Sequence, residues 1–173
     1  MNKIEKKISN NLPVSVIIPC YNCHKTIKRS IKSILRQTKK PSEVIIVDDC
    51  SDDKTRELLY KLQEECKELQ IKIIKLEKNL GVASARNMGI NASKYKYLAF
   101  MDCGLNFNKN WLMNQINFLE KHKLEFSLGI LHTRAKNSFD AAVISQTWGL
   151  NKEIVVIPGS IFNRNIFSKI GLF

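Results

Sequence analysis

Short apolar runs alternate with amphipathic stretches along the first hundred residues, and that alternation predicts the fold. Residues 14–19, Val-Ser-Val-Ile-Ile-Pro, form a β-branched run suited to a strand buried on both faces, with Pro19 ending it. Over residues 24–37 the apolar positions are Ile27, Ile31, Ile34 and Leu35, one helical stripe that leaves Lys28, Arg29, Lys32 and Arg36 largely off it. Pro41 marks the following loop. Residues 43–48 predict a second buried strand running into Asp48 and Asp49. Ser51 is expected to cap the next helix, with Asp52 and Asp53 in its first turn and Leu58, Leu62, Cys66 and Leu69 on its apolar face. A third strand is expected over 71–76 and a turn at Asn79-Leu80-Gly81. A small-residue helix over 82–92 and a fourth strand over 96–101, reaching Asp102, follow.

Four strand–helix alternations with short links require parallel strands joined by right-handed crossovers. The expected fold is α/β: a Rossmann-like open, mostly parallel sheet with helices on both faces. In such sheets ligands sit outside the carboxyl ends of the strands. Here those ends carry Tyr21-Asn22, Asp48-Asp49, Asn79 and Asp102, which places them on one rim. The remainder is less regular. Residues 110–121 read as a helix through Leu112, Ile116 and Leu119, 126–131 and 154–157 as strands, and 165–170 as a short helix. Residues 132–151 have weak periodicity and read as a loop folding over the site; Trp111 and Trp148 are expected to pack, with Trp148, in that loop, the better candidate to stack on a ligand. No repeat or linker divides the chain, so one domain is expected over 1–173.

Composition narrows the functions. The 173 residues are 44% hydrophobic, enough for a core, and carry a formal net charge of +12 from 28 Lys+Arg against 16 Asp+Glu. That excess suits a nucleic acid or anionic membrane surface, an anionic substrate, or a Lys-rich background. It is mostly Lys and scattered, and an acidic rim repels phosphates in the absence of a cation, so a nucleic-acid partner is not expected. Five cysteines, an odd number, with no signal-peptide pattern indicate free thiols in a reducing compartment. Cys20-x-x-Cys23 lacks a second such pair, and His24 alone does not complete a zinc site. No stretch approaches the roughly 20 apolar residues of a membrane span. The expected location is cytoplasmic, with a peripheral contact at the inner membrane face left open.

The rim lacks both the dinucleotide glycine fingerprint and the P-loop. Its acids suggest instead a divalent cation bridging a diphosphate, or carboxylates accepting hydrogen bonds from a base or ribose. Five ordered segments carry a resemblance. Val14-Ser-Val-Ile-Ile-Pro-Cys-Tyr-Asn22, Ser33-Ile-Leu-Arg-Gln37, Val47-Asp-Asp-Cys-Ser-Asp-Asp-Lys-Thr55, Asn79-Leu-Gly-Val-Ala-Ser-Ala-Arg-Asn-Met-Gly-Ile90 and Tyr97-Leu-Ala-Phe-Met-Asp102 resemble the motifs of family-two glycosyltransferases. The segment from Pro158 to Arg164 and the end Ile170-Gly-Leu-Phe173 resemble that family's later, acceptor-framing region.

The resemblance implies a GT-A fold and an inverting hexosyltransferase. Such an enzyme passes a sugar from a nucleotide-diphosphate donor to an acceptor hydroxyl on a saccharide, a lipid-linked glycan or a protein, in surface polysaccharide or glycan synthesis. It places Pro19, Tyr21 and Asn22 beside the nucleoside, Asp49 on the base edge, and Arg86 and Asn87 in the donor pocket. Asp102 becomes the first acid of an Asp-x-Asp and the metal ligand for Mn or Mg. Two departures stand out. The motif reads Asp102-Cys103-Gly104, so the second acid is missing, and Cys103 is a soft ligand where these cations prefer oxygen. Family members continue past Phe173 into a segment bearing the catalytic base, so a C-terminally truncated domain is expected and the catalytic residue is unassigned. Asp140 and Glu153 are the late acids within the chain. The alternative function is a nucleotide-sugar-binding remnant with little turnover.

Overall fold

A computed structural model describes residues 11–132 and 153–173. Six strands form one sheet: β1 (Leu12–Cys20), β2 (Pro41–Asp48), β3 (Ile71–Lys75), β4 (Tyr97–Phe100), β5 (Phe126–His132) and β6 (Glu153–Asn163). Their order is β3-β2-β1-β4-β6-β5. β3, β2, β1 and β4 are mutually parallel, while β6 pairs antiparallel with both β4 and β5. The helices are α1 (Ile27–Leu35), α2 (Thr55–Glu65), α3 (Gly81–Ala92), α4 (Trp111–His122) and α5 (Ile166–Ile170). The expected Rossmann-like GT-A architecture is present, with β1 and β4 at the switch point where chain order reverses.

The alternation of side chains along each strand sorts the core into two layers. Val14, Val16, Ile18, Val44, Ile46, Tyr97 and Ala99 face α1, α2 and α4, meeting Ile31, Ile34, Leu59, Leu112, Ile116 and Leu119. Ile17, Leu98 and Phe100 face the other way onto Ile90, Ile166 and Phe167, and Ile45 and Val47 onto Ala85. Because both faces are covered, these strands read as continuous apolar runs. The one polar residue inside β1, Ser15, donates to Glu43 Oε1 at 2.6 Å, which also accepts the Lys94 N–H at 2.8 Å, so that buried pair is satisfied.

Three expectations are corrected. Pro19 does not end β1: the strand continues to Cys20, with Pro19 opposite Val47. The β4 ladder has already stopped at Ile17↔Phe100, and the Pro19 carbonyl points to that side, accepting the Cys103 thiol at 3.5 Å. The missing N–H of proline therefore costs no ladder bond. Ser51 does not cap α2, which begins at Thr55; Asp53 Oδ1 accepts the Thr55 N–H at 2.8 Å instead. The last strand is longer than 154–157, because Gly159 (φ +89°) carries the backbone through a bend that an ordinary residue resists. Asp140, Trp148 and most of the expected covering loop lie outside the described residues.

Candidate active site

The carboxyl ends of β1, β2 and β4 are tied into one network. After β1 the chain turns at Asn22, which adopts a left-handed conformation (φ 50°) that asparagine tolerates. Its N–H donates to Ser51 Oγ at 3.0 Å, and its side-chain oxygen accepts the Asp52 N–H at 3.1 Å. These two bonds clip the β1 turn to the β2 turn. Tyr21, beside it, is exposed, whereas Pro19 is buried.

The two acids ending β2 divide their work. Asp48 is fully buried and accepts the Ser51 N–H at 3.0 Å and the Arg56 Nε–H at 2.9 Å. Asp49 accepts the N–H groups of Leu80 and Gly81, one on each oxygen, both at 2.8 Å. Those donors open α3, so Asp49 sits at the positive end of a helix and satisfies two amides that lack intrahelical partners. Gly81 itself has φ +84°, the geometry that lets the chain enter α3 there.

Arg86 and Asn87 lie one turn into α3. Arg86 Nη2 donates to Asp102 Oδ1 at 2.9 Å, joining α3 to the loop after β4. The side chain is 12% exposed and its Nε–H is buried with no partner among the described residues. The Asp102 side chain is 40% exposed, and its second oxygen accepts no hydrogen bond from the described residues. The Asn87 side-chain amide exchanges two hydrogen bonds with the backbone of Phe173, at 2.8 and 3.0 Å. The Phe173 ring lies edge-on to Phe100 and 5.9 Å from the Arg86 guanidinium carbon.

The loop after Asp102 is clamped from α1. Gly104 donates its N–H to Ser30 Oγ at 2.7 Å, and its carbonyl accepts the Arg29 Nε–H. Deeper, the buried Gln37 donates to the Asn108 carbonyl at 2.8 Å and accepts the Leu112 N–H, which fixes the end of α1 to the start of α4. β6 runs antiparallel to β4, so its first half projects past the rim. Glu153 begins that half opposite His132. Trp111 and Gln115 of α4 both donate to the Gly159 carbonyl, at 3.0 and 2.8 Å, and Trp111 stacks on Phe107. Trp111 is thus a packing residue, as expected.

Sequence reasoning placed Asn22 and the acids on one rim, left Arg86 to the family resemblance, and missed a thiol convergence. Cys103 folds back onto Cys20 and Cys23, and the three sulfurs all lie within 4.8 Å of one another. Hydrogen bonds from the Cys103 and Cys20 thiols hold Cys23 far below the usual thiol range, at about 3. The same bonds, with burial, push Cys103 up. No spacing rule connects residues 23 and 103; only the β1–β4 pairing brings them together.

The sequence matches Glycosyl transferase family 2 over residues 15–171. The chain belongs to that family. It is 40% identical over 116 residues to the UDP-Glc:alpha-D-GlcNAc-diphosphoundecaprenol beta-1,3-glucosyltransferase WfaP of Escherichia coli, covering 66% of this chain and 44% of that protein. It is 39% identical over 169 residues to an uncharacterized glycosyltransferase, RC0461, of Rickettsia conorii, covering 98% of this chain and 25% of that protein. The chain thus spans less than half the length of these curated relatives. Among solved structures, S. aureus TarS 1–349 in complex with UDP superposes with a TM-score of 0.68 at 24% identity, covering 91% of this chain and 48% of that one. The mannosyltransferase PcManGT of Pyrobaculum calidifontis, in complex with GDP-Man and Mn2+, superposes with a TM-score of 0.70 at 20% identity, covering 94% and 48%. These likenesses establish the GT-A fold. Among the described residues, no helix is long and apolar enough to cross a membrane.

Proposed function

We propose that this family-two domain binds a nucleotide-diphosphate sugar on the rim formed by β1, β2 and β4. It passes the sugar, with inversion, to an acceptor hydroxyl in surface glycan synthesis. The observation carrying this reading is Arg86: a largely buried cation one turn into α3, holding Asp102 with one guanidinium N–H while its Nε–H has no partner among the described residues. An anionic donor would supply that missing acceptor, and a charge-assisted bond of this kind orients a phosphate well. Pro19, Tyr21 and Asn22 then border the nucleoside, with Asp49 shaping the floor beneath it and Asn87 beside the donor pocket. The E. coli relative is named for UDP-Glc as donor and a diphosphoundecaprenol-linked acceptor, which makes a hexose donor and a lipid-linked acceptor the first pair to try. A lipid-linked acceptor would bring the domain to the inner membrane face.

The donor set fits a divalent cation only as a shared ligand. Asp48 and Asp49 already spend their oxygens inside the protein, and Gly104 contributes no side chain. Among the described acids that end β2 and β4, that leaves the second oxygen of Asp102, and Mg²⁺ or Mn²⁺ is commonly held by one or two carboxylates together with substrate phosphates. When bound, the cation neutralises charge on the departing diphosphate. Arg86 orients Asp102 for it.

Calorimetric titration of UDP, dTDP, GDP and CMP, each with and without Mn²⁺, tests the reading. Binding of one diphosphate that strengthens with Mn²⁺ is expected; no binding to any of them would sink it. A second reading, donor binding with little turnover, is favoured by Gly104. It predicts tight nucleotide binding with no release of UDP from UDP-glucose when acceptor is present.

A further inference from the structure

Cys20, Cys23 and Cys103 come from two segments about eighty residues apart in the chain, and their sulfurs converge to within 4.8 Å. Cys20 ends β1 and is 2% exposed; Cys23 lies in the turn before α1, and Cys103 follows Asp102 after β4. The remaining cysteines, Cys50 and Cys66, take no part. All five are free thiols. A zinc–thiolate bond of about 2.3 Å puts sulfurs around one ion roughly 4 Å apart. The trio therefore needs only a small contraction to embrace a cation. The donor set is purely sulfur, which selects thiophilic d10 ions over Mg²⁺ or Mn²⁺.

We propose that Cys20, Cys23 and Cys103 form a three-thiolate site for a thiophilic cation, Zn(II) or Cu(I), distinct from any hard cation held by Asp102. Three sulfurs suffice for a trigonal Cu(I) and leave Zn(II) one open position for water. The bound ion bridges the Tyr21-Asn22 turn to the Asp102–Gly104 loop and so fixes the rim. The site stands independently of the donor reading, since nothing in it depends on a nucleotide.

The test uses the full reduced chain. Zn(II) is titrated against a chromophoric chelator, Co(II) serves as a reporter of thiolate charge-transfer absorption, and Cu(I) is added in a parallel anaerobic arm. One ion per chain is expected, with protection of three of the five thiols from alkylation. The tighter of the two ions identifies the site's preference. Cys23→Ser and Cys103→Ser should each weaken binding by more than about 100-fold, whereas Cys66→Ser should leave it unchanged. Absence of metal-dependent thiol protection in the unmodified chain would overturn the proposal and leave the trio as packing. So would binding that survives both serine variants, or a Cys23–Cys103 disulfide in protein kept under reductant. The protection measurement decides the matter even if the serine variants fold poorly.

Discussion

Asp49 Oδ2 accepts the Gly81 N–H at 2.8 Å, so the tip of β2 fixes where α3 begins. With its other oxygen on Leu80, the carboxylate is a buried acceptor for two amides at a helix start. Asp49→Asn keeps the shape but turns an NH₂ group toward one of those donors. One unsatisfied N–H and a lost charge at the helix start cost about 1–3 kcal/mol. A lower urea midpoint with an unchanged slope is expected, together with weaker nucleotide binding, because the Arg86 helix loses its anchor. Unchanged nucleotide affinity would remove Asp49 from the site.

Arg86 reads differently from an ordinary ion pair. Its partner Asp102 is substantially exposed, so removing the pair should change stability by less than about 1 kcal/mol. The orphan Nε–H and the charge matter once a diphosphate arrives. Arg86→Met is therefore expected to lower UDP affinity by about 10- to 100-fold with little change in melting temperature. A large loss of stability with intact affinity would make Arg86 a structural residue only.

Much of this was legible in the sequence because burial on both sheet faces writes itself as apolar β-branched runs. Val14–Ile18 and Val44–Val47 are such runs, leading to Asn22 and Asp49, and the apolar run ending at Phe100 put Asp102 on the same rim. The Arg86–Asp102 contact, from α3 to the loop after β4, is not written in that pattern. What stayed hidden depends on tertiary pairing. Pro19 looks like a stop until one sees that the neighbouring ladder has ended. Ser51 looks like a cap, but its hydroxyl accepts from Asn22 on another turn, and Asp53 takes the helix start. Gln37, just past the apolar stripe of α1, gives no hint that it serves two backbone groups at the distant start of α4. Polar residues used for cross-chain hydrogen bonding carry no period, so pattern reading passes over them.

Gly89 belongs to the motif for a packing reason. A Cβ there would stand 2.4 Å from Ile17 Cγ2, on a fully buried side chain of the central strand. Gly89→Ala should cost about 1–3 kcal/mol through overpacking, measured by chemical denaturation. The same change in an Ile17→Ala background should cost less, and equal costs in the two backgrounds would contradict the contact.

Restoring the missing second acid should not restore a metal site. Gly104 has φ +85°, and an added Cβ would meet Thr26 Cβ at 3.1 Å and Arg29 Nη2 at 3.3 Å. Gly104→Asp is expected to destabilise by about 1–2 kcal/mol, the cost of a left-handed residue with a side chain. Mn²⁺ affinity in the presence of UDP should not rise. A clear gain in Mn²⁺ affinity would show that the loop relaxes to place the new carboxylate.

The His24–Asp53 pair gives a pH signature outside the rim acids. Burial pushes the Asp53 carboxyl up, but hydrogen bonds from Thr55 and from His24, the latter at 2.7 Å, outweigh it and hold it at about 2 against an ordinary 3.8. A carboxyl whose folded value is depressed adds stability that is fully present above its unfolded value and disappears as pH falls through its folded value. The window here runs from about pH 4 down to about pH 2. Both side chains are partly exposed, at 38% and 23%, so solvent screening limits the gain to at most about 1 kcal/mol. Asp53→Asn should therefore lie below the unmodified chain in urea midpoint near pH 5, and the gap should close toward pH 2. A gap that persists unchanged at the acid end would assign the effect to the Asp53–Thr55 cap geometry rather than to the carboxylate's charge.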